Sequence, residues 1–159
     1  MSATALKNPP VAEVLITRVF DAPVALVWQC WTEPKRLAQW WGPRHFTNPE
    51  CTIDARVGGE MNITMRGPDG TDYPMTAEFT EVVAQRRLVF TAFARDLNGD
   101  PQLEAHTIVT FADEAGKTRL TVKARGVGIQ PVAEQMLTGM EAGWTQSIDK
   151  LGELIAAQK

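Results

Sequence analysis

The chain is short of the residues that most often carry catalytic or redox chemistry. Among its 159 residues are two histidines, two cysteines and one tyrosine. Cys30 and Cys51 form no CxxC pair and no zinc-like Cys/His spacing, so neither a disulfide framework nor a structural metal is expected, and a reducing cytoplasm fits best. There is no basic surplus. Lys and Arg number 16 against 19 Asp and Glu, for a net charge of −3, which argues against nucleic acid as a partner. Lys117, Arg119, Lys123 and Arg125 are the nearest thing to a basic patch, and their alternation reads as one solvated strand face. No apolar run is long enough to enter a membrane. Met1 to Pro10 is polar and proline-containing, without a basic start or an apolar core. It reads as a disordered segment over residues 1–10, not a leader or anchor. No glycine-rich phosphate loop, metal cluster or Ser/His/Asp arrangement stands out, so no cofactor and no catalytic set is assigned.

What is present suits one soluble domain over residues 11–159, with 44% hydrophobic and 22% charged residues. A chain of this length buries roughly 68–70% of its unfolded surface. Its most distinctive run is Trp40-Trp41-Gly42-Pro43. Two adjacent indoles bring a large area to bury, each with an N–H that then wants a partner, and Gly-Pro ends whatever helix precedes it. The run reads as an apolar plug ending in a hard turn.

Val11 to Phe20 is rich in β-branched residues and reads as a strand. Asp21-Ala22-Pro23 then starts a helix, with Asp21 as its cap and Val24, Val27, Trp28 and Trp31 at helical spacing. A second short helix is expected over about Lys35 to Trp41. The period then becomes two. Thr52 to Val57 alternates, with Ile53, Ala55 and Val57 on one face, until Gly58-Gly59 breaks it. Met61, Ile63 and Met65 follow, then a turn at Pro68-Asp69-Gly70, then Tyr73, Met75, Ala77 and Phe79. Arg87 to Arg95, Gln102 to Phe111, and the alternation of Leu120, Val122 and Ala124 complete six strands after the helices. Beyond Gly126 and Gly128, Met136, Met140, Trp144, Ile148, Leu151 and Ile155 recur at steps of three and four. They predict one long C-terminal helix, roughly 35–40 Å if unbroken. Tight turns imply an antiparallel meander, and its apolar face must be covered by the only long helix. The expected class is α+β: a curved antiparallel sheet of about seven strands around a long C-terminal helix, with two short helices after the first strand.

With these stretches in place, the chain resembles the START-like, or SRPBCC, superfamily, whose helix-grip fold is that of the birch-pollen allergen. It is most similar to the branch of the activator of heat-shock protein 90 ATPase. The resemblance rests on Arg18-Val19-Phe20-Asp21-Ala22-Pro23, Val27-Trp28, Trp40-Trp41-Gly42-Pro43, Asp54 to Glu60, Pro68-Asp69-Gly70 and Gly143-Trp144, in that order and spacing. It implies a fold with a cavity, not a particular reaction. It also implies three functional readings. The leading one is a cytoplasmic protein that binds a small, largely apolar molecule. The others are a polyketide cyclase or dehydrase, and a co-chaperone of the stress response acting on heat-shock protein 90.

The expected pocket lies between sheet and helix. Its candidate lining is Met61, Ile63, Met65, Tyr73, Met75 and Phe79 from the sheet and Met136, Met140 and Trp144 from the helix, with Trp28, Trp40 and Trp41 closing the mouth. Every methionine except Met1 falls on these faces. Methionine suits surfaces that adapt to varied shapes, and it equally fills an irregular core. Tyr73 offers its hydroxyl either to a ligand or to a backbone carbonyl at the rim. Alternation puts His106 on the outer face, and His45 falls in a loop near the mouth. The first strand is an exposed edge on which a homodimer can pair.

Overall fold

Period-two alternation from Glu60 to Gly128 does build a meander, and the first strand closes it on the far side. The computed structural model describes residues 8–158; residues 1–7 of the segment expected to be disordered lie outside that range, as does residue 159. In chain order the elements are β1 (Val11–Phe20), α1 (Val24–Thr32), α2 (Pro34–Leu37), β2 (Thr47–Ile53), β3 (Glu60–Arg66), β4 (Asp72–Val83), β5 (Arg87–Arg95), β6 (Pro101–Glu114), β7 (Lys117–Gly128), α3 (Ala133–Thr138) and α4 (Met140–Ala157). The seven strands form one antiparallel sheet in the order β1-β7-β6-β5-β4-β3-β2. The fold is the expected α+β helix grip: a curved sheet whose apolar face is covered by the helices.

Three local expectations are corrected. The strand read at Thr52 to Val57 sits upstream, at Thr47–Ile53. It escaped notice because Asn48, Pro49 and Glu50 break the apolar alternation, and Pro is tolerated there because β2 is an edge. The alternating residues Ala55 and Val57 belong to the β2–β3 turn instead. Gly59 makes that turn feasible, since a Cβ there would stand 2.0 Å from the Asp54 carbonyl oxygen. Next, the N-cap position of α1 is Pro23, two residues beyond the Asp21 expected there. Finally, the C-terminal helix is two helices. It breaks at Gly139 (φ −89°, ψ 0°), leaving a six-residue α3 and an 18-residue α4. A glycine within a helical pattern lowers the cost of leaving the helix. The break lets α3 settle onto β7, where Gly126 permits the approach: a Cβ there would meet Leu137 Cδ2 at 2.6 Å.

An aromatic cluster dominates the core. Trp31 lies edge-on to Trp40 (centroids 4.6 Å apart) and to Phe111 (6.2 Å), and it stacks with Trp144 at 6.3 Å and 21°. Trp41 meets Trp144 edge-on at 5.4 Å. Edge-to-face pairs of this kind add about 0.5–1.5 kcal/mol each beyond their burial. Trp40 Nε1 donates to the Cys30 carbonyl at 2.9 Å, whereas the buried Trp31 Nε1 has no hydrogen-bond partner among the described residues. Asn48 Nδ2 donates to the carbonyls of Ala38 and Trp41, both at 2.9 Å, so β2 holds the turn that carries the two tryptophans.

Candidate functional site

The strand register lines up small residues across the middle of the concave face. One row runs Ala77, Ala92, Ala105, Gly126 and Ala12 through β4, β5, β6, β7 and β1. The next runs Met75, Ala94, Leu103 and Gly128. With so little side chain on these strands, the helices above cannot fill the space. A cavity of about 260 Å³ remains between β4–β6 and the α3–α4 junction. Met65, Tyr73, Met75, Ala92, Ala94 and Ala105 line it from the sheet. Met136, Met140, Gly143 and Trp144 line it from the helices, and Trp41, Gly42 and Pro43 from the loop after α2.

Seven of the twelve residues singled out in the sequence come together here: Trp41, Met65, Tyr73, Met75, Met136, Met140 and Trp144. The other five lie elsewhere. Met61, Ile63 and Phe79 face the same side of the sheet but are buried beneath the tryptophan cluster, where α1 and α2 already cover the sheet. Trp40 is 0% exposed. The Trp40-Trp41 pair sits in a turn past the end of α2, so the two rings diverge, and only Trp41 reaches the cavity. Trp28 packs edge-on against Phe111 at 5.2 Å, away from the mouth. Tyr73 stands at the rim, 39% exposed, its ring 5.9 Å from Phe46.

The sequence reading did not assign Thr107 or Gly143 to the site, and of the alanine row it placed only Ala77 on the inward face. Alanine on a single strand signals nothing until the register stacks it beside others. Thr107 is in plain sight in the β6 series Leu103, Ala105, Thr107, Val109 and Phe111, as the one hydroxyl in an apolar alternation.

The loop that carries Trp41 is latched to α4. Lys150 Nζ donates to the Pro43 carbonyl at 3.2 Å, and the Arg44 backbone N–H donates to Gln146 Oε1 at 3.0 Å. Arg44 also pairs with Glu153 at 2.5 Å. Burial pushes the Lys150 amine below its ordinary range, and the nearby Arg44 charge adds to that shift. Two residues of this loop adopt positive φ, Gly42 at 90° and His45 at 72°. Gly42 also needs its missing Cβ, which would lie 2.7 Å from Met65 Sδ.

Few ionisable groups approach the cavity. His45 and His106 are exposed and absent from its lining, and His106 faces outward on β6. Arg95 is among the lining residues, but its guanidinium turns to the opposite face of the sheet. There Nε donates to Thr76 Oγ1 at 2.8 Å, Nη1 donates to the Gly99 carbonyl at 2.9 Å, and the group lies 5.5 Å from the centre of the Phe93 ring. Cys51 lies outside the cavity, and burial pushes its thiol up to about 11. Among the described residues no group of His, Cys, Asp and Glu is placed to hold a metal, and no helix is long and apolar enough to cross a membrane.

A seven-stranded sheet gripping a C-terminal helix over an apolar cavity defines a START-like domain. Residues 21–156 match the family described as Activator of Hsp90 ATPase homolog 1-like protein, and the chain belongs to that family. Solved structures agree. A protein from Nitrosomonas europaea is 29% identical, with 92% of this chain and 96% of that one covered and a TM-score of 0.72. One from Arthrobacter aurescens is 28% identical, with 91% and 86% covered and a TM-score of 0.77. The AHSA1 protein of Silicibacter pomeroyi, 24% identical, shares the fold with a TM-score of 0.80 over 93% of this chain and all of that one. No curated protein matches the chain.

Proposed function

We propose that this protein binds a small, largely apolar molecule in the cavity between the sheet and the α3–α4 junction. The observation that carries this reading is the cavity itself. Some 260 Å³ stays open on the concave face of the sheet, and thioethers and aromatic rings surround it. The hollow opens to solvent at Tyr73, and water that fills it finds few hydrogen-bond partners on its walls while the lining goes without close contacts. A ligand restores both. The reading places the protein in the cytoplasm, where Cys30 and Cys51 remain free thiols. It offers β1, with Leu15 70% exposed, as the edge on which a second copy pairs.

Native mass spectrometry of the freshly purified protein, repeated under denaturing conditions, tests both points. A co-purified small molecule that is lost on denaturation supports the reading, and the native mass counts the subunits. Met75→Trp and Met140→Trp each place an indole in the cavity and should reduce retention of that molecule at least tenfold. Full retention by both variants overturns the assignment.

A further inference from the structure

We infer that Thr107 is the residue that orients the ligand. The molecule it selects is neutral, compact and aromatic, with one hydrogen-bonding oxygen at its buried end. This rests on the cavity being the binding site, as proposed above. Thr107 is 1% exposed and stands in the cavity wall. Its cross-strand partners are Phe90 and Ala124, and its neighbours along the same face of β6 are Ala105 and Val109. All four are apolar. No hydrogen bond joins its hydroxyl to another described residue. The other deeply buried threonine, Thr118, does have a partner, since its Oγ1 donates to the Ala22 carbonyl at 2.8 Å.

The Thr107 hydroxyl is not among the enclosed side-chain atoms that lack a partner, so it meets the open space of the cavity, whereas valine in the same shape would make that wall wholly apolar. Packing alone therefore gives no reason for threonine at this position. A ligand oxygen reaching the back of the cavity does. The remaining polar groups of the lining are placed differently. Ser147 Oγ already donates to the Gly143 carbonyl at 2.9 Å, Tyr73 sits at the exposed rim, and Gln102 lies at the start of β6.

The lining also limits the charge and size of the ligand. The only charged side chain among the lining residues, Arg95, has its guanidinium on the other face, so an ionised ligand would enter with no counter-charge. An apolar cavity of about 150 Å³ accepts one benzene ring, so about 260 Å³ is the scale of a two-ring aromatic molecule. Trp41, Phe90 and Trp144, with the sulfurs of Met65, Met75, Met136 and Met140, surround it with surfaces that favour a flat ring.

The test uses 1-naphthol and naphthalene as probes, titrated into the full chain by calorimetry. Thr107→Val should weaken 1-naphthol about tenfold and leave naphthalene within twofold, while Thr107→Ser keeps the affinity for 1-naphthol. The melting temperature of Thr107→Val should hold or rise, which reports that it folds. If Thr107→Val weakens both probes equally, or neither, Thr107 does not orient the ligand, although the cavity remains the binding site. If neither probe binds the unaltered protein, yet Met75→Trp and Met140→Trp abolish retention of a co-purified molecule, the aromatic class is wrong. If neither probe binds and those variants retain that molecule, the cavity reading itself fails.

Discussion

Gly143→Ala separates stability from binding, because the two should move in opposite directions. Gly143 lies in the first turns of α4, where its N–H donates to the Gly139 carbonyl at 2.9 Å. A methyl there meets Pro43 Cγ at 3.7 Å, an ordinary contact, and nothing closer. Replacing glycine by alanine within a helix favours the folded state by about 0.5–1 kcal/mol. Partial burial of the new methyl adds a few tenths more. A net gain of about 1 kcal/mol raises the melting temperature of a domain this size by about 2–4 °C. The same methyl projects into the cavity and removes on the order of a tenth of its volume. A two-ring probe that fills the cavity should therefore bind several-fold more weakly to Gly143→Ala, and Gly143→Leu should abolish its binding. Differential scanning calorimetry and a parallel titration read the two effects. A melting temperature that falls by more than 2 °C would refute the spacing between α4 and Pro43. Unchanged affinity in both variants would refute the cavity as the site.

Two further outcomes follow from other parts of the fold. Asn48→Ala removes the donors to the Ala38 and Trp41 carbonyls and should cost about 2–3 kcal/mol in urea unfolding, with Trp41 less well held at the cavity. The Cys51 thiol is raised by burial from 9.0 to about 11, so the native state keeps a proton that the unfolded chain releases. Stability from this group is fully present below pH 9 and declines as the pH rises from about 9 toward 11. Cys51→Ala should flatten that decline in melts taken between pH 8 and 11, and a native thiol at pH 8 should react slowly with iodoacetamide.

The architecture was readable because its signals are periodic. Met61, Ile63 and Met65, then Tyr73, Met75, Ala77 and Phe79, alternate as paired strands must, and the register puts Met65 opposite Tyr73 and Met61 opposite Ala77. Where period and backbone part, the reading slipped. Ile53, Ala55 and Val57 alternate like a strand, yet Gly59 packs against the Asp54 carbonyl and turns the chain. The steps from Met136 to Ile155 run on through Gly139, because a helical pattern does not record a change of helix axis. The site was half legible. Bulky residues announce themselves, which is why Met75, Met140 and Trp144 were found. The cavity beside them comes from what is small, and Ala92, Ala105 and Gly126 acquire meaning only once register sets them side by side. Trp40 and Trp41 are chemically alike, and only the turn between them decides which faces inward.

The alanine and glycine row has a consequence for the protein without a ligand. The hollow is made by the sheet, not by a helix standing off from it. Its floor is main chain pinned on both sides by neighbouring strands, from β4 across to β1. Such a floor cannot rise to meet the helices, so collapse would have to come from α3, α4 and the Trp41 loop. The salt bridge between Arg18 and Asp149 ties α4 to β1, and the Pro43–Lys150 bond ties the loop to α4. On the proposed reading, the cavity is therefore shaped before a ligand arrives. A guest that fits gains nearly all of its contact energy, with little lost to rearranging the host.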